Sequence, residues 1–179
     1  MRPRVFARYA VVPVFVAVAW LAPLPAASCP PKAGPVEQTI RLPWPPRFIW
    51  PVKGPVIEAY CAHHGSRGID GINIAVPEGT DVKAAAGGIV QYAGADLKAY
   101  GKLVLIRHKE GWITAYAYNS VLAVRQGDVV RQGQVIGHSG RAPASGIEEV
   151  HFETRWDTTP VDPTRLLKDQ PPVTTEIER

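Results

Sequence analysis

The sequence has no run of basic residues and no strip of basic residues interleaved with aromatics. Its formal charge of +4 is misleading. Of 20 Lys and Arg, Arg2, Arg4 and Arg8 fall in the first 28 residues, which carry no acid, leaving 17 against 16 acidic residues. A nearly neutral chain without a basic patch excludes a nucleic-acid partner. Amphipathic helical periodicity is missing as well, since a helix at Pro163–Lys168 would be one or two turns long. No apolar run reaches a comfortable membrane span: Tyr9 to Leu24 is almost wholly apolar, but Pro13, Pro23 and Pro25 cut it short. With two cysteines, Cys29 and Cys61, at most one disulfide is available.

What is present divides the chain into four. Residues 1–28 read as an export signal, with three arginines, the apolar stretch and small residues Ala26-Ala27-Ser28 at the cleavage point. Cys29 follows directly. This resembles a weak lipoprotein box without its favoured Leu, so Cys29 is either lipidated or free to pair with Cys61 in an oxidising compartment. Residues 29–47, rich in proline, read as a stiff tether. Residues 48–168 form one domain, and 169–179 a polar, disordered tail. The expected location is the periplasm, with membrane contact only through a lipid at Cys29.

Within the domain the pattern is all-β, in short strands separated by glycine turns. Gly88–Ala93 and Lys102–His108 read as strands, the second buried on both faces. Trp112–Tyr118 alternates, placing Trp112, Thr114, Tyr116 and Tyr118 on one face. The same period puts Glu149, His151, Glu153 and Arg155 on one face and Val150, Phe152, Thr154 and Trp156 on the other. A small repeat, Val124-Arg-Gln-Gly-Asp-Val129 then Val130-Arg-Gln-Gly-Gln-Val135, suits short strands joined by tight turns. His108 and His138 read as surface residues near turns, and Asp70 and Arg155 as a surface ion pair.

Taken in order, Trp50-Pro-Val, Gly71 to Thr80, Gly88-Ile-Val, Tyr100 to His108, Thr114-Ala-Tyr-Ala, Val124 to Gly137, His151-Phe-Glu and Val161-Asp-Pro163 form a series. It resembles the LytM or lysostaphin-type peptidase domain, which implies an antiparallel β-sandwich with a groove, similar to the duplicated hybrid motif. Active members hold zinc through His and Asp of His-x-Gly-x-Asp and the second His of His-x-His. By this resemblance Ile69, Asn73 and His151 occupy the metal positions, Tyr118 stands at a catalytic His, and Glu149 replaces the first His of the pair.

Ile69 cannot coordinate, and an Asn73 carbonyl is a poor substitute for a carboxylate. The resemblance therefore implies a pseudo-enzyme without a metal cofactor, similar to the degenerate EnvC- and NlpD-like LytM factors that activate peptidoglycan amidases. Asn73, Tyr116, Tyr118, Glu149 and His151 would line the groove that meets the partner. A register shifted by three residues gives the alternative, an active zinc endopeptidase cleaving peptidoglycan cross-links with His64, Asp70 and His151 as ligands. A third reading is a plain peptidoglycan-binding module.

Overall fold

In the computed structural model, residues 45–61 and 69–168 are described. The export signal, Cys29, most of the tether, His63, His64 and the tail at 169–179 lie outside them. Twelve strands follow in chain order. They are β1 (Phe48–Ile49), β2 (Val56–Glu58), β3 (Ile72–Ala75), β4 (Asp81–Lys83), β5 (Gly88–Gly94) and β6 (Lys102–Arg107). Then come β7 (Trp112–Leu122), β8 (Val129–Val130), β9 (Val135–Arg141), β10 (Glu148–Trp156), β11 (Thr159–Val161) and β12 (Leu167–Lys168). Single 3-10 turns at Lys109–Gly111 and Pro163–Arg165 are the helical elements among the described residues. The turn at Pro163 ends at Arg165, and after Leu166 the chain enters β12, so a helix at this point is limited to one turn.

A ten-stranded antiparallel sheet runs β2-β3-β10-β9-β7-β6-β5-β8, with β11 on β10 and β4 on β9. β1 and β12 form a separate parallel pair, Phe48 opposite Leu167. β10 is the hub, pairing with β3, β7, β9 and β11. Its alternation matches the sequence. Val150 and Phe152 are fully buried against Ile72, Ile74, Trp112 and Tyr116, and each such side chain contributes about 1.5–3 kcal/mol through burial. The opposite face carries Glu149, His151 and Glu153.

The repeat resolves into two matched turns. Arg125 N–H donates to Asp128 Oδ2 at 2.8 Å, and Arg131 N–H donates to Gln134 Oε1 at 3.0 Å. Gly127 and Gly133 take positive φ at the same place in each copy, a conformation that costs glycine little. Side-chain capping at the residue after each glycine makes the pair of turns equivalent.

Candidate functional site

The site is built where β3, β7 and β10 lie side by side. In the ladder His151 stands opposite Asn73 on one side and Ala117 on the other. Asn73, Glu149, His151 and Glu153 are all buried. Asn73 Nδ2 donates to Glu58 Oε2 at 2.6 Å and to Glu149 Oε1 at 3.3 Å. Two carboxylates on that side fix the amide orientation, because a carbonyl turned toward them would be repelled. Asn73 Oδ1 then accepts from His151 Nδ1 at 2.6 Å. The other ring nitrogen, Nε2, lies 3.0 Å from Glu153 Oε1. Arg155 closes the chain, donating to Glu153 Oε2 at 2.5 Å and to Asp70 Oδ2 at 3.4 Å. The expected Asp70–Arg155 pair is therefore present as the outer end of this network.

The local electrostatics follow from these contacts. Burial alone would push the Glu153 carboxyl up. Hydrogen bonds from His151 and Arg155 outweigh it and hold the group below its usual range. Glu149 moves the other way, raised first by burial and then by Glu58. Burial, followed by the Glu149 and Glu58 carboxylates, raises the Tyr118 phenol. Tyr100 is raised by burial and then by Glu153. Both phenols thus remain neutral hydrogen-bond donors at physiological pH.

Tyr118 reaches the site by breaking the strand's alternation. Its φ is +63°, a left-handed conformation that costs a bulky residue about 1–3 kcal/mol. The turn of the backbone swings the phenol to the face of Ala115 and Ala117, where its ring centroid lies 5.6 Å from that of His151. Tyr100 stands 6.1 Å from the same imidazole. Tyr118 N–H bonds to Tyr100 O at 3.0 Å. Asn119 takes up Tyr116 O at 2.7 Å and Lys102 O at 2.9 Å, satisfying carbonyls at the irregularity. A cleft of about 490 Å³ opens beside this cluster, floored by Leu103, Leu105, Ile113 and Ala115 and walled by Tyr92 and Tyr100.

Tyr116 does not join the groove. It is fully buried on the opposite face, stacked near Phe152, with its hydroxyl accepting from Ala85 N–H at 2.7 Å and 2.9 Å from Thr114 Oγ1. Thr114 faces the core with it. The expectation that Thr114, Tyr116 and Tyr118 share the groove face is corrected, because the left-handed turn falls between Tyr116 and the end of the run. His108 is corrected too. It is buried, bonded to Gly87 O at 2.9 Å and to Thr114 Oγ1 at 2.8 Å. Glu58 and Tyr100, which the sequence reading passed over, are part of the site. Tyr100 had a signal, since it opens the Tyr100-Gly-Lys segment, whereas nothing marked Glu58.

The family model for peptidase family M23 matches residues 67–163. The chain belongs to peptidase family M23. Over 131 residues it is 40% identical to the uncharacterized lipoprotein YgeR of Escherichia coli (strain K12), covering 71% of this chain and 51% of that one. It is 40% identical over 118 residues to the murein hydrolase activator NlpD of the same organism, covering 66% and 30%. The catalytic domain of lysostaphin from Staphylococcus simulans superimposes with a TM-score of 0.56 at 28% identity, covering 66% of this chain and 92% of the other. This chain spans about half or less of the length of those two curated relatives.

Against the zinc site of catalytic M23 peptidases, the donor set here does not fit. Ile69, in an isolated bridge with Cys61, offers no donor atom. The Asn73 carbonyl is engaged by His151, and the two nitrogens of His151 face Asn73 and Glu153. Among the described residues no group of three or more His, Cys, Asp or Glu side chains is placed to hold a metal ion. Of the alternative ligand set, Asp70 is exposed and turned to Arg155, and His64 lies outside the described residues.

Proposed function

We propose that this M23 domain is a non-catalytic LytM factor of the bacterial cell envelope that binds and activates a peptidoglycan amidase. The observation that carries the proposal is the hydrogen-bonded chain Glu58–Asn73–His151–Glu153–Arg155, which fills the place of the metal centre with partners for its polar groups. Kinship with a protein named murein hydrolase activator supports the same reading. Zinc has no role in this reading, and the neutral phenols of Tyr100 and Tyr118 beside an apolar cleft suit a protein surface better than hydrolysis. The partner's regulatory segment would lie along the cleft and over His151. Activation requires that the domain bind the active state of the amidase more tightly than the inhibited state.

Relatives named lipoproteins support export and anchoring. Cys29 either carries a lipid or pairs with Cys61, the other cysteine of the chain, and labelling of wild type but not Cys29→Ala with a radioactive fatty acid would decide for the lipid.

The test of function measures dye release from labelled sacculi by the amidase, with and without the purified domain. We expect the domain alone to release nothing, with or without added zinc, and to stimulate the amidase at least tenfold. Hydrolysis of peptidoglycan cross-links by the domain alone, abolished by a chelator, would overturn the proposal in favour of a zinc endopeptidase. Sacculus binding without stimulation would reduce it to a binding module.

A further inference from the structure

The end of the large sheet away from β2 carries an apolar row edged with arginines. Val129 of the end strand β8 stands opposite Ile89 of β5, and Ile89 opposite Arg107 of β6. Directly paired residues share a face, so the three lie side by side over about 10 Å. Val129 is 76% exposed and Ile89 43%. Arg107 is exposed too, as are Arg125 and Arg131, which hold matching places in the turns before and after Val129. None of the three arginines forms an ion pair with a described residue. Asp128, the acid next to Val129, uses Oδ2 to cap Arg125 N–H, while the charges of Lys109 and Glu110 cancel. Cationic charge is left in excess around the row, from residues far apart in sequence.

The chain enters the domain at this same end. Pro45 and Arg47 share a recess with Gly87, Lys109 and Gln132, and Gln132 Nε2 donates to Arg47 O. Gly87 lies two residues before Ile89, Lys109 two after Arg107, and Gln132 next to Arg131. Cys29 is sixteen residues upstream of Pro45, at most about 55 Å of extended chain.

We infer that this face docks on a bilayer containing anionic lipid, a contact additional to any lipid on Cys29. Aliphatic side chains enter the acyl boundary while the arginines beside them hold lipid phosphates, their stems lying along the apolar neighbours. Two observations favour a lipid surface over a protein. β8 has two residues, too short an edge to take up a strand of another chain. Neither Ile89 nor Val129 lines the cleft beside His151, so the row stands outside the groove assigned to the amidase. The inference is independent of the amidase reading and would set the domain's entry end against the membrane.

The experiment is cosedimentation of the unacylated chain from Cys29 to Arg179 with vesicles of phosphatidylglycerol and phosphatidylcholine in equal parts, or of phosphatidylcholine alone. Binding to the anionic vesicles that weakens with salt is expected, with little to the neutral ones. Arg107→Glu should weaken binding about tenfold, and Ile89→Ser/Val129→Ser about threefold or more, both melting as the wild type does. Lys98→Glu makes the same charge change in the turn after β5 and should weaken it less than about twofold. Absence of binding by the wild type, equal losses for Arg107→Glu and Lys98→Glu, or full binding by the aliphatic variant overturns the inference. So does a dimer that the aliphatic variant dissolves, which would give the face to a second copy. Reduced amidase stimulation by these variants without lipid would give it to a protein and overturns it as well. Vesicle binding is read without amidase, so failure of either reading leaves the other standing.

Discussion

Two buried histidines, His108 and His151, sit in networks of opposite character. His108 belongs to a closed, neutral chain running from Gly87 O through the imidazole to Thr114, Tyr116 and Ala85 N–H. Burial dominates there. It lowers the His108 pKa, against the raising effect of its bond to Gly87, and drives the Tyr116 phenol far above its usual value. His151 belongs to a charged chain that emerges at the surface through Arg155 and Asp70. The same strand, β7, feeds both, sending Tyr116 to one and Tyr118 to the other. A neutral network that ends on backbone groups serves the fold. A charged one that ends beside a cleft opens to solvent at Arg155 and Asp70.

The charged network is most sensitive at Glu153. Glu153→Ala leaves His151 and Arg155 without their shared carboxylate. Loss of one member of a buried pair costs about 3–5 kcal/mol. We expect about 3 in urea denaturation, because Arg155 can turn to water. The pH dependence carries a signature. The folded value of Glu153 is lowered, so its contribution is fully present above the ordinary carboxylate range of about 4.3 and is lost as pH falls through the lowered value. The wild type should therefore lose stability on that acid limb, and Glu153→Ala should lack the corresponding slope.

Next in size is the neutral network. Tyr116→Phe strips the acceptor from Ala85 N–H and a partner from Thr114, for a loss of about 1–3 kcal/mol in thermal melts. Amidase stimulation by the folded variant should not change. If stimulation fell while Tyr118 variants kept it, the division between the two networks would be wrong.

Tyr118→Asn should cost little stability, within about 1 kcal/mol, because Asn tolerates the left-handed backbone while forfeiting the ring contacts. Stimulation should nonetheless fall at least tenfold in the dye-release assay. The smallest stability effect belongs to Glu149→Gln. The raised value of Glu149 means its ionised form is disfavoured in the fold, a penalty present above that value and relieved as pH falls. Gln should add less than about 1 kcal/mol near neutral pH, an advantage that disappears in acid.

Much of this was legible in the residues. Strict alternation over Glu149 to Trp156 placed the core face and the polar face of β10 correctly, because a regular strand has only one period. The resemblance assigned Asn73 and His151 to one site, and the ladder sets the two opposite each other. The face of Tyr116 was misread, because the left-handed φ falls on Tyr118, a tyrosine, and no glycine announces the turn. His108 looked superficial beside Lys109-Glu110-Gly111, but its ring packs edge-on against Phe48, distant in sequence. Glu58 joins the site across a bulged β2–β3 pairing that no local pattern marks.

The parallel pair β1–β12 brings the domain's entry and exit together, Phe48 beside Leu167 and Ile49 beside Lys168. A unit whose two ends adjoin behaves like a bead on a string. It can be spliced between flanking segments of any length, or reopened at a distant loop and rejoined at its old ends, without redirecting the chain on either side. That portability suits relatives in which the matching stretch is 51%, 30% or 23% of the whole. What surrounds the bead can then diverge freely while the bead itself stays recognisable.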